Sequence, residues 1–252
     1  MDKTLYDNIS QVEETHWWYK ARRDIIFDWL QQILKGYKDP QILDIGCGTG
    51  FNIAYLHKLG FDQAAGLDFS PDALAYCRAR QLNGLICGDA EKLPIRHGCY
   101  DIVLTLDIIE HIKDDRHALS EIYRILKPDG VLVIFVPAFQ FLWSFQDEIS
   151  HHQRRYNARE LREKVLQAGF ELRKLTYVNS LLFPVVWFGR LILRAFPQKF
   201  KIASESEMHP AWMNDFLYRI FLTELPLLHH MNLPLGVSIL GICKKPTGRS
   251  ST

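Results

Sequence analysis

The chain has few of the features that mark secreted, membrane-spanning or nucleic-acid-binding proteins. Its five cysteines are an odd number with no Cys-x-x-Cys pair, which indicates reduced thiols in the cytoplasm and not a disulfide framework. The formal net charge of +1 over 252 residues provides no strong field for a nucleic acid. The amino terminus lacks the apolar core of a signal peptide, and no apolar run is long enough to span a bilayer. We therefore expect a cytoplasmic protein that binds no nucleic acid.

The chain does contain a glycine-rich turn between a strand and a helix. Residues 43–50 read Leu-Asp-Ile-Gly-Cys-Gly-Thr-Gly, and the segment before them has the pattern of a short buried strand. Apolar residues at helical spacing follow over residues 51–59 and stop at Gly60. This order lets a ligand lie against bare backbone near the positive end of a helix dipole. Taken alone the pattern is weak, because many loops carry such glycines only to turn tightly.

Acidic residues lie at the ends of the strands that follow. Asp68, Asp89 and Asp107 each close a short apolar run, and a further apolar run covers residues 130–136. Strands that alternate with helices in this way predict an open, mostly parallel α/β sheet with a crevice at its carboxyl edge. A carboxylate at the position of Asp68 suits the two hydroxyls of a ribose, and Asp89 suits an exocyclic adenine amine.

These motifs resemble those of the class I S-adenosylmethionine-dependent methyltransferases, in particular the group that includes the ubiquinone and menaquinone biosynthesis enzymes. The resemblance covers roughly residues 41–137 and depends on five motifs in order, at residues 43–50, 66–70, 88–94, 100–112 and 126–137. It implies a Rossmann-like, mostly parallel seven-stranded sheet in which the last strand is antiparallel and lies between strands five and six. An NAD-binding Rossmann domain is the main alternative. Two features argue against an NAD-binding domain: the loop lacks the third glycine of the Gly-x-Gly-x-x-Gly pattern, and Asp44 would repel a pyrophosphate.

The resemblance also implies which residues hold the cofactor, S-adenosyl-L-methionine. The glycine loop would bind the methionine part, Asp68 the ribose, Asp89 and the Ala90 amide the adenine, and Leu106 with Asp107 the region beside the methyl group. Asp44 is suited to the methionine ammonium. The full predicted set is Asp44, Gly46, Cys47, Gly48, Gly50, Asp68, Phe69, Asp89, Ala90, Leu106 and Asp107, with Tyr19 and Arg23 from the preceding helix.

That preceding helix belongs to an expected amino-terminal cap over residues 1–40. Its aromatic residues at positions 16–19 would close over the cofactor, and Arg22 or Arg23 would meet the methionine carboxylate. The alternative is that the aromatics only anchor the helix to the sheet and the arginines are solvated.

After the fifth strand, aromatic residues at positions 139, 141, 143 and 145 alternate with other side chains and predict an extended segment with one aromatic face. A polar cluster at residues 147–156 follows, from which His151 and Tyr156 are the predicted catalytic residues; His111 is a competing candidate for the base. The alternative is a solvated charged loop. We predict no metal site, because the adjacent His151 and His152 diverge and no third ligand is in register.

A long connection, residues 179–234, separates the sixth strand at 170–178 from the last at 235–244, so the methyltransferase domain would comprise residues 41–178 and 235–245. The connection begins with an apolar block at 181–188, and the cations Arg190, Arg194, Lys199 and Lys201 follow it. This composition predicts peripheral membrane contact through residues 181–201, or else a helical lid that packs on the protein's own core. Residues 246–252 are expected to form a disordered tail.

The sequence therefore predicts methyl transfer to a hydroxyl or other nucleophile of a small acceptor, one that is lipophilic or lipid-linked. The alternative is a catalytically idle S-adenosylmethionine-binding module that regulates a biosynthetic partner.

Overall fold

The computed structural model describes residues 3–195 and 210–247, which form one seven-stranded sheet with helices on both faces. The strand order is β3-β2-β1-β4-β5-β7-β6. The strands are β1 (Ile42–Ile45), β2 (Ala65–Asp68), β3 (Leu85–Cys87), β4 (Tyr100–Leu106), β5 (Leu126–Pro137), β6 (Glu171–Val178) and β7 (Ser238–Lys244).

The first five strands run parallel, and β7 pairs antiparallel with both β5 and β6. The predicted fold class, including the position of the last strand between strands five and six, is therefore confirmed. All four residues of β1 are buried, which agrees with its reading as a continuous apolar run, since helices cover both faces of a parallel sheet. The carboxyl ends of β1, β2 and β4 consequently meet at one edge.

The helices are α1 (Lys3–Val12), α2 (Trp17–Leu34), α3 (Phe51–Lys58), α4 (Pro71–Ala79), α5 (Asp115–Ile125), α6 (Phe145–Ile149), α7 (Ala158–Gln167), α8 (Phe183–Ala195), α9 (Ala211–Leu222) and α10 (Leu225–His230). One core cluster joins the sheet to α2, α3 and α4, and a second joins it to α5 and α7. Helix α2 contributes the fully buried Ile25 and Leu30 to the first cluster. That burial fixes the amino-terminal segment on the same face as the helix that follows the glycine loop.

Three helices, α8 to α10, occupy the described part of the long connection between β6 and β7. Helix α9 packs on α2, where Tyr218 donates to Asp24 over 2.8 Å and Asn214 accepts from the Trp17 amide over 2.8 Å. Oε1 of the buried Glu224 accepts a hydrogen bond from the Leu181 amide over 2.8 Å, whereas its Oε2 has no hydrogen-bond partner among the described residues. Within the residues described, no helix combines the length and apolar character needed to cross a bilayer.

The extended aromatic segment predicted after the fifth strand is wrong. Phe139 has a φ of 55°, and the chain then forms a short 3₁₀ turn at Gln140–Leu142 and helix α6. Ser144 and Asp147 form a capping box that starts α6, a local pattern that overrides the alternation of aromatic residues. Most of the predicted tail, residues 248–252, and the two lysines at positions 199 and 201 lie outside the described residues.

Candidate functional site

The glycine loop after β1 is held against the end of β2 by backbone and carboxylate hydrogen bonds. The Gly46 amide donates to the Leu67 carbonyl over 2.7 Å, and the Gly48 amide donates to Asp68 over 2.8 Å. Gly46 has a φ of 71°, and a Cβ there would lie 2.5 Å from Cδ1 of Ile108. The loop therefore requires glycine at this position for both its conformation and its close packing.

Two carboxylates lie beneath this loop in different environments. Asp68 is 7% exposed, and its second oxygen accepts from the Ser70 amide over 2.8 Å. Burial raises the pKa of Asp68, and the amides of Ser70 and Gly48 oppose that rise. Asp44 is almost completely buried and accepts from Asn52 over 3.2 Å; burial raises the pKa of Asp44 to about 7. Asp44 is thus poised to change its charge near neutral pH.

A cavity of about 310 Å³ lies above the loop and extends between α2, the end of β4 and α8. Among the predicted site residues, those that line it are Tyr19, Arg23, Gly46, Cys47, Gly48, Leu106, Asp107 and His111. Glu13, His152 and Arg155, which the sequence analysis did not select, also line it. The structure thus brings the glycine loop, the end of β4 and the two predicted residues of α2 around one cavity, whereas Asp44 and Asp68 do not line it.

The amino-terminal helices close this cavity. The buried Glu13 accepts from the Thr49 hydroxyl over 2.5 Å and from Arg80 over 2.5 Å, so it clamps the glycine loop. Arg22 pairs with Asp107 over 2.7 Å. Neither arginine of α2 is solvated, which excludes that alternative for Arg22 and Arg23. Glu13 escaped the sequence analysis because only the fold brings it to Thr49.

Arg23 lines the cavity, and its Nε makes no hydrogen bond within the described residues. Its guanidinium lies 4.7 Å from the ring centre of Phe51, and Nη1 donates to the Glu13 carbonyl over 3.4 Å. Its Nε lies 3.8 Å from Oδ1 of Asp24, too far for a hydrogen bond, and has no hydrogen-bond partner among the described residues. An unsatisfied buried guanidinium donor beside the glycine loop matches the need of a ligand carboxylate.

The predicted adenine-side residues lie outside this cavity. Phe69 is 76% exposed, and the exposed Asp89 accepts from the Glu91 amide over 2.9 Å. Ala90 is buried beneath them. Gly50 also lies outside the lining, since a Cβ there would meet Leu82 and Cys77, and its role is in packing. The ring of Phe69 and the carboxylate of Asp89 would therefore bind an adenine on an open surface.

The polar cluster at residues 147–156 presents a different histidine from the one predicted. His152 lines the cavity with Nδ1 2.8 Å from Oδ1 of Asp147, and its ring centre lies 4.6 Å from that of His111. His151 is exposed, with a φ of 58°, and does not line the cavity. His151 therefore lies outside the lining of the cavity in which it was predicted to act, and His152 occupies that place instead.

Tyr156 is also misplaced for a catalytic role. It is fully buried, and its hydroxyl donates to Asp115 over 2.7 Å. Burial and the Asp115 carboxylate raise the pKa of Tyr156 far above its usual value. The side chain therefore anchors the loop to α5. His111 does line the cavity, and burial together with the nearby His152 lowers the pKa of His111 to about 3. A group with so low a pKa is a weak base at neutral pH.

Comparison with known proteins now identifies the domain. Residues 43–134 match the family described as a methyltransferase domain. Residues 43–134 therefore belong to a class I S-adenosylmethionine-dependent methyltransferase domain. The predicted family is thus confirmed, and the NAD-binding alternative is set aside. The methyltransferase domain coincides with strands β1 to β5, which supply the glycine loop and the strand-end carboxylates.

Two relatives and one solved structure illustrate the similarity. Malonyl-acyl-carrier-protein O-methyltransferase of Pectobacterium atrosepticum is 35% identical over 104 residues, 41% of each protein. Demethylmenaquinone methyltransferase of Chlorobaculum tepidum is 32% identical over 105 residues, 41% of this chain and 43% of the relative. Phosphoethanolamine N-methyltransferase 2 of Haemonchus contortus, solved with S-adenosyl-L-methionine, has a TM-score of 0.53 and 23% identity, with 83% and 50% of the two chains covered. The chain spans less than two thirds of the length of the curated relatives it matches.

The residues around the glycine loop fit S-adenosylmethionine chemically. The Nε of Arg23, which makes no hydrogen bond within the described residues, would provide a donor for the carboxylate of its methionine part, and the buried Asp44 would provide an anion for the ammonium. Asp68, at the end of β2, would provide acceptors for ribose hydroxyls. The absence of side chains at Gly46 and Gly48 leaves the backbone open between them.

Cofactor affinity should rise with pH because of Asp44. Its pKa of about 7 means that the carboxyl is mostly neutral at pH 6 and mostly ionised at pH 8. Since only the ionised form attracts an ammonium, affinity for S-adenosylhomocysteine should increase roughly tenfold across that range. Calorimetric titrations at several pH values would measure it. An Asp44→Asn control should show weak binding with little pH dependence; an equally steep profile in that variant would assign the titration to another group.

Proposed function

We propose that the protein transfers the methyl group of S-adenosylmethionine to a hydroxyl or other nucleophile on a lipophilic or lipid-linked small molecule. The observation that carries this proposal is the composition of the cavity wall. Gly46 and Gly48 line one part of it, and Val186 and Arg190 of helix α8 line another. The long connection therefore contributes directly to the space in which an acceptor would meet the cofactor.

The catalytic contribution of the protein is mainly positioning and exclusion of water. Bound at the glycine loop, S-adenosylmethionine supplies a methyl group on a positively charged sulfur. Leu106 and Asp107 line the cavity at the end of β4, and Arg22 holds the Asp107 carboxylate in place. Trp17, Trp18 and Tyr19 line the side formed by α2 and exclude solvent from it. Holding two reactants in line in such a site provides much of the rate enhancement.

The lipophilic character of the acceptor is supported by helix α8, which buries a charged side chain and exposes apolar ones. Arg190, the one buried residue of α8, donates to the Leu142 carbonyl, whereas most apolar side chains of the helix are exposed. The exposed apolar residues of this surface, which we call the α8 face, are Leu181, Val185, Trp187, Phe188, Leu191 and Ile192. The names of two relatives given above, the malonyl-acyl-carrier-protein and demethylmenaquinone methyltransferases, specify a carrier-linked acceptor and a quinone acceptor.

The α8 face should bind lipid vesicles. Burial of each large apolar side chain contributes about 1.5–3 kcal/mol, so replacing two of them should release the protein. The wild-type chain should sediment with vesicles of phosphatidylglycerol and phosphatidylcholine, and a Phe188→Glu/Ile192→Glu variant should remain in the supernatant. Leu166→Glu, at an exposed apolar position of α7, is the matched control and should sediment like the wild type.

Salt should weaken this binding only slightly. The predicted cationic contribution came from Arg190, Arg194, Lys199 and Lys201. Arg190 is buried, the exposed Arg194 donates to the Trp143 carbonyl over 2.7 Å, and the two lysines lie outside the described residues. The apolar contribution therefore dominates, and it is not screened by ions. If the wild-type protein stayed in solution at every lipid composition, the α8 face would be a closed lid and the acceptor a soluble metabolite.

Transfer of a labelled methyl group tests the proposed activity. The purified protein, S-adenosylmethionine with an isotopic methyl label, and a lipid extract should together yield label in the organic phase. Label confined to the aqueous phase would contradict the lipophilic acceptor. Binding of the cofactor with no turnover on any extract would instead support the idle regulatory module.

A further inference from the structure

Glu110 is a buried carboxylate without a partner beside the cavity. It is 0% exposed, and neither of its carboxylate oxygens has a hydrogen-bond partner in another described residue. An unpaired ionised carboxylate in this position would lower the free energy of unfolding by several kcal/mol, so an isolated Glu110 would destabilise the fold. Burial and the neighbouring Asp107 raise the pKa of Glu110 well above its usual value. The methyl-transfer mechanism above does not use this group.

Two histidines complete a group of possible ligands around Glu110. Oε1 of Glu110 lies 3.9 Å from Nε2 of His152, too far for a hydrogen bond. A carboxylate oxygen of Glu110 and one ring nitrogen each of His111 and His152 all lie within 4.8 Å of one another. Since Zn–N and Zn–O bonds are about 2.0–2.2 Å long, two ligands of one ion can lie about 4 Å apart, and a small movement would bring in the third.

The hydrogen bond between His152 and Asp147 leaves one ring nitrogen of His152 available to bind a metal ion. Asp147 accepts from Nδ1 of His152, which leaves the Nε2 lone pair directed towards Glu110. The backbone of Ser150 lies near the His111 ring and opposes the lowering of its pKa. A carboxylate or carbonyl behind each histidine is the usual arrangement at metal sites, where it fixes the tautomer and the ring orientation.

We propose that Glu110, His111 and His152 bind a divalent transition-metal ion of the zinc type in the wall of the cavity. Two imidazoles and one carboxylate are the ligands of open zinc sites, which keep a further position for water or substrate. His111 and His152 both line the cavity that Asp107 also lines, so the open position faces the space for the acceptor. The ion would bind an acceptor oxygen there. The binding site stands without the proposed function, and only this role for the ion depends on it.

We predicted no metal site from the sequence because the adjacent His151 and His152 diverge and no third ligand is in register with them. In the structure, His152 instead lies near Glu110 and His111, which follow β4 in the chain. The 3₁₀ turn at Ile109–His111 is what presents adjacent residues of the chain to one point.

Titration of the metal-free, tag-free chain with Co²⁺ and Zn²⁺ tests the site. Co²⁺ should bind with a stoichiometry of one and give the intense visible absorption of a low-coordinate site, and Zn²⁺ should displace it. Glu110→Gln and His152→Ala should each weaken Zn²⁺ binding by about 100-fold or more, since loss of an outer partner alone costs about 10–100-fold. His151→Ala removes an adjacent exposed histidine and should leave Zn²⁺ affinity unchanged.

S-Adenosylhomocysteine affinity and the melting temperature, measured on the same variants, separate this proposal from the proposed function. Near-wild-type values for both in Glu110→Gln, together with lost Zn²⁺ binding, would support a metal site independent of cofactor binding. Wild-type protein that binds Zn²⁺ no more tightly than Glu110→Gln, or that loses its Co²⁺ spectrum only in His151→Ala, would overturn it. In that case Glu110 is a protonated carboxyl beside two neutral histidines.

Discussion

Asp147→Ala should lower the free energy of unfolding by about 3–5 kcal/mol, the usual cost of breaking a buried ion pair on one side. Asp147 is fully buried and accepts from Nε and Nη2 of Arg155 over 2.7 and 2.8 Å, and from the Ser144 amide over 2.7 Å. Without it, the buried Arg155 charge and the His152 ring lose their common partner. Urea-induced unfolding at neutral pH would measure the change.

Glu163→Ala provides the matched control for that measurement. Glu163 pairs with Arg159 over 3.0 Å on the exposed surface of α7, and such pairs contribute about 0–1 kcal/mol. The hydrogen bonds from His152 and Arg155 hold the pKa of Asp147 well below its usual range. Its contribution is therefore complete above the unfolded pKa of about 4 and disappears as the pH falls towards the folded value. Equal small effects of the two substitutions would show that the 147–156 loop is not anchored by this pair.

Asp68→Ala should weaken binding of S-adenosylhomocysteine by about 1.5–3 kcal/mol, or roughly 10- to 150-fold. The variant removes the predicted acceptor for the ribose hydroxyls, and it also frees the Gly48 and Ser70 amides that Asp68 holds over 2.8 Å. Both losses act on the same binding surface. Calorimetric titration of the folded variant would give the affinity directly.

Asp72→Ala is the control for position, because Asp72 is an exposed residue in the first turn of α4. Its affinity for S-adenosylhomocysteine should match that of the wild type. Unchanged affinity in Asp68→Ala would remove this residue from the ribose role and leave it only as a support for the glycine loop.

The parts of this account that the sequence predicted well depend on short, local patterns. The segment at residues 43–50 specifies a strand, a turn with a positive φ at Gly46, Gly48 and Gly50, and a helix, because few other residues tolerate those dihedrals. Buried parallel strands read as continuous apolar runs, so their order along the chain and the acids at their ends could be placed in advance.

The identity of the cavity histidine could not be predicted in this way. His151 and His152 are adjacent and chemically identical, and only the contact of His152 with Asp147 and the positive φ of His151 decide which one faces the cavity. Arg190 shows the same limit. Its charge suggested a surface position, but the register of α8 against the cavity places it inside and exposes the apolar residues around it.

The central claim is that the glycine loop, Asp44, Asp68 and Arg23 form a site for S-adenosylmethionine. Calorimetric titration of the wild-type chain with S-adenosylhomocysteine and, separately, with NADH tests it most directly. We predict binding of one S-adenosylhomocysteine per chain and no detectable binding of NADH. Tight binding of NADH in the absence of S-adenosylhomocysteine binding would contradict the account.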